Sequence, residues 1–90
     1  MTRSIKTTRA FERDLKKAGK RGKDLDKLWR VVERLSQGEP LSARYRPHRL
    51  SGAWNRFWEC HIEPDWLLIW DEDETALILV RTGTHADLFG

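Results

Sequence analysis

The chain has 90 residues, of which 39% are hydrophobic and 34% charged, and its formal net charge is +3. A chain of this length buries little more than about 60% of its extended surface, so residues 1–90 are expected to form one domain with one core. The single cysteine excludes an intramolecular disulfide and a multi-thiolate zinc site. No apolar run approaches the roughly 20 residues that cross a bilayer, and the first residues lack the apolar centre of a secretory signal, so we expect a cytoplasmic protein without a membrane anchor.

Two helices are predicted in the first half of the chain. Thr8 and Asp24 are candidate N-caps, and each precedes a stretch whose apolar residues recur at the spacing of one helical face. Gly38 and Pro40 are expected to end the second helix. A short edge strand at residues 3–7 precedes the helices, which together form an antiparallel hairpin. The apolar stripes consist of Phe11, Leu15 and Ala18 in the first helix and Leu25, Leu28, Trp29, Val32 and Leu35 in the second.

The second half of the chain is predicted to form strands. Residues 41–52 show no periodicity and contain proline and glycine, which is typical of a loop with at most a short extended piece. Three segments rich in aromatic and β-branched residues follow, at residues 54–62, 66–71 and 75–82. The short connections between them favour antiparallel pairing. The predicted fold class is therefore α+β, with an N-terminal helical hairpin packed on a small, mostly antiparallel sheet.

Alternation along the first of these strands predicts which side chains share a face. One face would carry Trp54, Arg56, Trp58, Cys60 and Ile62, and the other Asn55, Phe57, Glu59 and His61. Beyond the last strand, Thr84 or Asp87 is expected to start a single helical turn.

Three histidines, His48, His61 and His85, lie outside the predicted apolar stripes. Metal-free RNA cleavage requires a base for the ribose 2′-OH, an acid for the departing 5′ oxygen and a cation for the phosphate. Histidine suits both proton transfers, because its ordinary pKa is about 6.5. Asp65 could orient one ring, and Arg81 could offer its planar guanidinium to phosphate oxygens. We expect these side chains to meet on the face of the sheet that the helices leave uncovered.

Two aromatic residues, Trp66 and Phe89, are candidates to stack on an unpaired base. Simpler explanations exist for each candidate, since Asp65 suits a turn, Trp66 suits a core and Phe89 can anchor the C-terminus. Three histidines could also bind zinc. The sequence has neither an HxH nor an HExxH pair, so it predicts no metal and no cofactor.

Charge is distributed unevenly along the chain. Residues 1–49 contain fifteen Lys and Arg against six Asp and Glu, a net charge of +9, whereas residues 50–90 contain two against eight, a net charge of −6. A local excess of this size attracts phosphate backbones or an acidic protein segment. A solvated helix surface explains the excess equally well.

Three segments, HRLSGAW, HIEPDWLLIW and RTGTHADLFG, resemble in order and spacing the signature of the YafQ branch of the RelE/ParE toxin superfamily. These are the toxins of bacterial type II toxin–antitoxin pairs. The resemblance implies a ribosome-dependent mRNA endonuclease that cuts the codon in the decoding site without a metal, by 2′-OH attack that leaves a cyclic phosphate. It also implies a cognate antitoxin that covers the basic surface, and a +9 half that contacts ribosomal RNA.

The resemblance further implies roles for individual residues. Pro47 and Arg49 flank His48, where similar sequences carry an acidic residue and a proline. The catalytic positions correspond to His48, His61, Asp65 and His85, and the substrate-contacting positions to Trp66 and Phe89.

Three alternatives remain open at this point. A ParE-like toxin would share the fold but poison DNA gyrase, and it would not need three histidines. A noncatalytic RNA- or ribosome-binding module would carry the same histidines as structural residues. An attenuated copy of the nuclease would retain the fold without the activity.

Overall fold

The structure, a computed structural model, describes residues 2–90 and has three α-helices and a five-stranded mixed sheet. The predicted α+β class is confirmed. The helices are α1 (Arg9–Lys20), α2 (Leu25–Ser36) and α3 (His85–Phe89). The strands are β1 (Ser4–Thr7), β2 (His48–Arg49), β3 (Trp58–Glu63), β4 (Trp66–Glu72) and β5 (Ala76–Gly83). Two short 3₁₀ helices, Ala43–Tyr45 and Gly52–Trp54, flank β2. Within residues 2–90, no helix is long and apolar enough to cross a membrane.

The strands lie in the order β1-β5-β4-β3-β2. β1 pairs with β5 in parallel, and the other neighbours are antiparallel, so the sheet is mostly antiparallel as predicted. The predicted strand near the N-terminus does form an edge of the sheet. The segment predicted as a loop contains β2, a two-residue strand at the opposite edge.

Both predicted helix caps are present. The Thr8 side chain accepts a hydrogen bond from the Phe11 amide at 3.0 Å, and the Asp24 carboxylate accepts one from the Asp26 amide at 3.1 Å. Each cap satisfies one of the amides that the first turn of a helix leaves without an intrahelical partner. Gly22, with a φ of 82°, reverses the chain between the two helices in a conformation that glycine adopts without strain.

The apolar stripes of α1 and α2 pack on one face of the sheet and form the main core. This core is made of fully or nearly fully buried side chains from both layers, chiefly Phe11, Leu28, Val31, Val32, Cys60, Trp66, Leu68, Trp70, Leu77 and Leu79. Burial raises the pKa of the Cys60 thiol to about 12, so this thiol stays protonated. The opposite face holds a smaller apolar cluster of Leu67, Ile69 and Leu88.

The first predicted strand begins later than expected. Trp58, Cys60 and Ile62 follow the predicted alternation toward the helices. Trp54 instead ends a 3₁₀ helix and packs against Phe57 on the other side of the sheet, with ring centroids 5.8 Å apart. The prediction that Trp54 shares a face with Trp58 is therefore wrong, because the chain is not extended at Trp54.

Candidate active site

The structure brings the three histidine rings together on the face of the sheet that α1 and α2 do not cover. The centroid of the His61 ring lies 6.5 Å from that of His48 and 5.7 Å from that of His85, so His61 is the middle member. Its position follows from alternation, because Cys60 and Ile62 point into the main core and the residue between them points away. His61 retains 15% side-chain exposure, whereas His48 and His85 are about half exposed. All three rings therefore border one open surface.

Asp65 holds His85 by two contacts. Its Oδ1 accepts a hydrogen bond from the His85 backbone amide at 2.9 Å and lies 2.7 Å from His85 Nδ1. The amide is available because it belongs to the first turn of α3, and Asp65 reaches it from the tight turn between β3 and β4. The amide and the ring of His85 together lower the pKa of the Asp65 carboxyl from its ordinary value. An ionised carboxylate can only accept, so Nδ1 carries the proton in this contact and Nε2 is left to face the solvent.

A carboxylate that sequence reasoning did not select, Glu59, lies between the other two rings. Its Oε1 is 3.3 Å from Nε2 of His48 and 3.9 Å from Nε2 of His61, and its side chain is only 7% exposed. His48 and Glu59 are cross-strand partners on β2 and β3. The signal in the sequence was an acidic residue on the same predicted strand face as His61. Only the structure shows why this residue matters, because β2 places His48 beside Glu59.

Backbone carbonyls fix the other side of these two rings. Nδ1 of His48 lies 2.8 Å from the Arg46 carbonyl oxygen, and Nδ1 of His61 lies 3.2 Å from that of Pro64. A carbonyl only accepts, so each Nδ1 acts as the donor and each Nε2 is directed toward Glu59. The backbone therefore holds Nδ1 of each ring, while Nε2 of His48 and of His61 lies 3.3 and 3.9 Å from the Glu59 carboxylate without a close hydrogen bond.

Phe89 is the predicted aromatic contact that the structure leaves accessible. It is 47% exposed and rests edge-on against Trp54, with ring centroids 5.7 Å apart. It lies one helical turn after His85 at the end of α3. Its ring is thus available to stack on a base near the histidines.

Trp66 and Arg81, which were predicted to contact substrate, do not reach this surface. Trp66 is 1% exposed, and its Nε1 donates to the Thr82 hydroxyl at 3.0 Å inside the main core. Arg81 points toward α1, where its Nε and Nη2 donate to the Asp14 carboxylate at 2.6 and 3.1 Å. An enclosed indole offers no face to a base, and a guanidinium held by two carboxylate oxygens is not free for phosphate. The expectation for these two residues is corrected accordingly.

A model of the family described as "Bacterial toxin of type II toxin-antitoxin system, YafQ" matches residues 3–90. The chain belongs to this family. The mRNA interferase toxin YafQ of Escherichia coli strain K12 is 42% identical over 89 residues, which are 98% of this chain and 97% of that protein. The resemblance found in the three sequence segments is thereby confirmed and extends to the helical half.

Solved structures of similar proteins agree with the family assignment. The E. coli DinJ–YafQ toxin–antitoxin complex contains a chain that superimposes with a TM-score of 0.92 at 41% identity, with full coverage of both chains. A metal-bound toxin from Helicobacter pylori superimposes with a TM-score of 0.91 at 42% identity, over 99% of this chain and 100% of that one. Within residues 2–90 of the present chain, no three His, Cys, Asp or Glu side chains are arranged as ligands of one metal ion.

Proposed function

We propose that the protein is an mRNA interferase, an endoribonuclease that acts as one domain over residues 1–90 and cuts mRNA in the decoding site of translating ribosomes. The observation that carries this proposal is the cluster itself: His85, tethered to Asp65, faces His61 across 5.7 Å, with His48 on the far side of His61. Two of the three imidazoles, those of His48 and His85, are about half exposed, so packing in a core does not explain them. The three rings have the chemistry that metal-independent cleavage of RNA requires.

In the proposed reaction, a neutral imidazole removes the proton of the ribose 2′-OH, and the resulting oxygen attacks the adjacent phosphorus. The bond from phosphorus to the 5′ oxygen breaks, and a protonated imidazole gives its proton to that oxygen. The products are a 2′,3′-cyclic phosphate and a 5′-hydroxyl end, and the two imidazoles have exchanged protonation states. His85 performs one transfer and the pair of His48 and His61 provides the other, with cationic rings stabilising charge on the phosphate.

Several observations support this reading over a noncatalytic one. The E. coli relative named an mRNA interferase toxin matches nearly the whole chain at 42% identity. Phe89 stands exposed one turn from His85, where it can stack on a base of the bound codon. Asp65 orients His85 as the carboxylate of a proton-transfer pair does, rather than as a partner inside a packed core.

We further propose that a cognate antitoxin silences the protein, as the DinJ–YafQ complex of E. coli is a toxin–antitoxin assembly. The basic first half, with a net charge of +9, offers an acidic or amphipathic antitoxin segment an oppositely charged surface. In the absence of the antitoxin, the same surface would contact ribosomal RNA in the cytoplasm.

The test is to map the 5′ ends of transcripts after brief induction, with and without ongoing translation. We expect new ends inside reading frames only while translation proceeds, and growth arrest. His85→Ala should reduce cleavage by about 10² to 10⁴-fold in a folded protein, and Glu74→Ala, at an exposed turn position outside the basic half, serves as the control. Undiminished cleavage by folded His85→Ala, or ends that persist when translation is blocked, would contradict the proposal.

A gyrase supercoiling assay separates this function from that of a ParE-like toxin. We expect no inhibition by the wild-type protein at concentrations that arrest translation. Inhibition that survives the loss of His85 would instead assign the chain to the gyrase-directed branch.

A further inference from the structure

A cleft of about 420 Å³ opens beside His61, between α2 and the 3₁₀ helix Ala43–Tyr45. We call it the basic cleft, because Lys27, Arg30, Arg44 and Arg46 form its walls and His61 borders it. Of the three histidines in the active site, only His61 lines it. The basic cleft therefore shares one residue with the site of the proposed chemistry, and its volume suits a small polar ligand rather than a duplex.

The charge of the basic cleft is not neutralised from within. Its one carboxylate, Glu63, is bound to Lys23 and Lys27, with both Nζ atoms 2.9 Å from its oxygens, and these contacts lower the pKa of Glu63 from its ordinary value. No ion pair within residues 2–90 includes Arg30, Arg44 or Arg46. Three exposed guanidiniums thus share one cleft without an acidic partner. Planar guanidinium groups in such a position bind phosphate oxygens well.

The walls of the basic cleft are joined to the active-site histidines. The carbonyls that hold Nδ1 of His48 and of His61 belong to Arg46 and Pro64, and both residues line the cleft. Arg46 adopts a left-handed conformation, with φ of 51° and ψ of 50°, that residues other than glycine rarely adopt. This conformation places its carbonyl against His48. The rings of His48 and His61 are therefore fixed relative to the walls of the cleft.

We propose that the basic cleft is a substrate subsite, in which Arg30, Arg44 and Arg46 bind the sugar–phosphate backbone of the mRNA next to the cleaved phosphate. The inference rests on the proposed function. It adds that the bound mRNA runs from the imidazoles into the cleft. An acidic antitoxin segment has compatible charge. RNA is favoured because His61 belongs both to the histidine cluster and to the lining of the cleft, so a strand whose phosphate lies among the histidines is within reach of the cleft.

The test is binding of a fluorescently labelled single-stranded RNA with 2′-O-methyl riboses, which cannot undergo 2′-OH attack, measured by anisotropy over a range of salt concentrations. The double variant Arg30→Ala/Arg44→Ala removes two cleft cations and leaves the Arg46 carbonyl in place. Arg9→Ala/Arg13→Ala removes the same charge from exposed positions on α1 and is the matched control.

For the cleft variant, we expect the Kd to rise on the order of tenfold. The slope of log K against log salt should fall by about 0.7 for each lost phosphate contact. The control should stay within about twofold of the wild-type Kd.

A second arm compares binding to ribosomes with and without mRNA in the decoding site. The cleft variant should lose affinity only where mRNA is present, and its cleavage should show a raised KM at nearly unchanged kcat. Equal losses on empty ribosomes would assign the cleft to ribosomal RNA, and a loss confined to antitoxin binding would assign it to that partner. Either result overturns the inference, as does a wild-type Kd in the cleft variant. If the wild-type protein does not cleave mRNA, the proposed function is contradicted instead. The anisotropy measurement still tests the cleft in that case, because it uses an RNA that cannot be cleaved.

Discussion

The two faces of the sheet are built from the same strands and serve different purposes. On the face covered by α1 and α2, alternate residues of β3 and β4 such as Cys60, Trp66 and Trp70 are almost fully buried. On the opposite face, the intervening residues include His61, which borders an open surface, and the nearly buried Glu59, whose carboxylate lies 3.9 Å from the His61 ring nitrogen. Burial of large apolar side chains supplies stability, whereas polar groups with accessible atoms are available for chemistry.

The comparison shows how a chain of 90 residues can carry a polar site without losing its core. The two-residue repeat of a strand separates the two sets of side chains without additional chain length. Substitutions on the covered face should therefore affect folding first, and so should those of the buried Leu67 and Ile69 on the open face. Substitutions of the polar residues on the open face should affect cleavage first. Four predictions test this separation.

The largest expected effect is on the covered face. Trp66→Ala should reduce the free energy of unfolding by about 3–5 kcal/mol, because it removes a buried indole and leaves a cavity. Phe89→Ala, on the open face, should cost less than about 1 kcal/mol while impairing cleavage. Denaturant unfolding followed by fluorescence measures both values. Similar losses of stability in the two variants would show that the faces do not differ in this way.

A smaller effect is expected from Glu59→Gln, which keeps the volume of the side chain and removes its charge. Cleavage should fall on the order of a hundredfold, because the carboxylate that contacts Nε2 of both His48 and His61 is replaced by a neutral amide. Circular dichroism should be unchanged. Glu74→Gln removes the same charge at an exposed turn position and should cleave at the wild-type rate. A rate for Glu59→Gln equal to that of this control would exclude a role for Glu59 in positioning the rings.

Asp65→Asn should reduce cleavage by roughly tenfold, because an amide oxygen holds the His85 Nδ1 proton more weakly than a carboxylate does. In the wild-type protein, His85 lowers the pKa of Asp65 below its ordinary value of 3.8. Asp65 should therefore remain ionised from pH 8 down to about pH 5, the range in which imidazoles ordinarily titrate. An NMR titration of the Asp65 carboxyl tests this directly. A midpoint at or above 3.8 would show that the contact with His85 is not formed in solution.

The smallest effect concerns Asp87, which fastens α3 to α1. Its carboxylate accepts from Arg21 at 2.7 Å and completes a capping box with Thr84, and Arg21 above all holds its pKa well below the ordinary value. Asp87→Ala should cost about 1 kcal/mol at neutral pH. Because the folded-state pKa is depressed, this contribution is present above the unfolded pKa near 3.8 and is lost as the pH falls through the folded value.

Thermal unfolding of the wild type and Asp87→Ala at pH 7 and at successively lower pH measures this difference. The gap between the two proteins should be constant above about pH 5 and should narrow below pH 4. A gap that widens on acidification would contradict the sign of the predicted linkage.

The parts of the fold that could be predicted are those with a strong local pattern. Thr8 and Asp24 cap their helices as expected, because capping depends on a side chain and an amide only two or three residues apart. Thr84 likewise starts α3. Trp54 was misplaced because an aromatic run is typical of a strand, whereas its conformation depends on packing against Phe57 and Phe89.

The candidate site was predictable in its residue types and less so in its geometry. Arg81 was expected to face the histidines, but it follows Leu77 and Leu79 of the main core at two-residue spacing, and its side chain meets Asp14 on α1. Glu59 was placed on the correct strand face. Its role depends on β2, a strand too short to leave a periodic signal.

By itself, the sequence determined the helical hairpin, the three main strands, the uneven charge and the family, because each of these depends on local spacing or on motifs read in order. Only the tertiary structure decided that His48, His61 and His85 share one surface and that Glu59 lies between two of them. It also decided that a cleft beside His61 is lined by three arginines that have no acidic partner among residues 2–90. The reason is physical. These contacts join residues far apart in the chain, and their distances are set by strand pairing and helix packing rather than by any pattern among neighbouring residues.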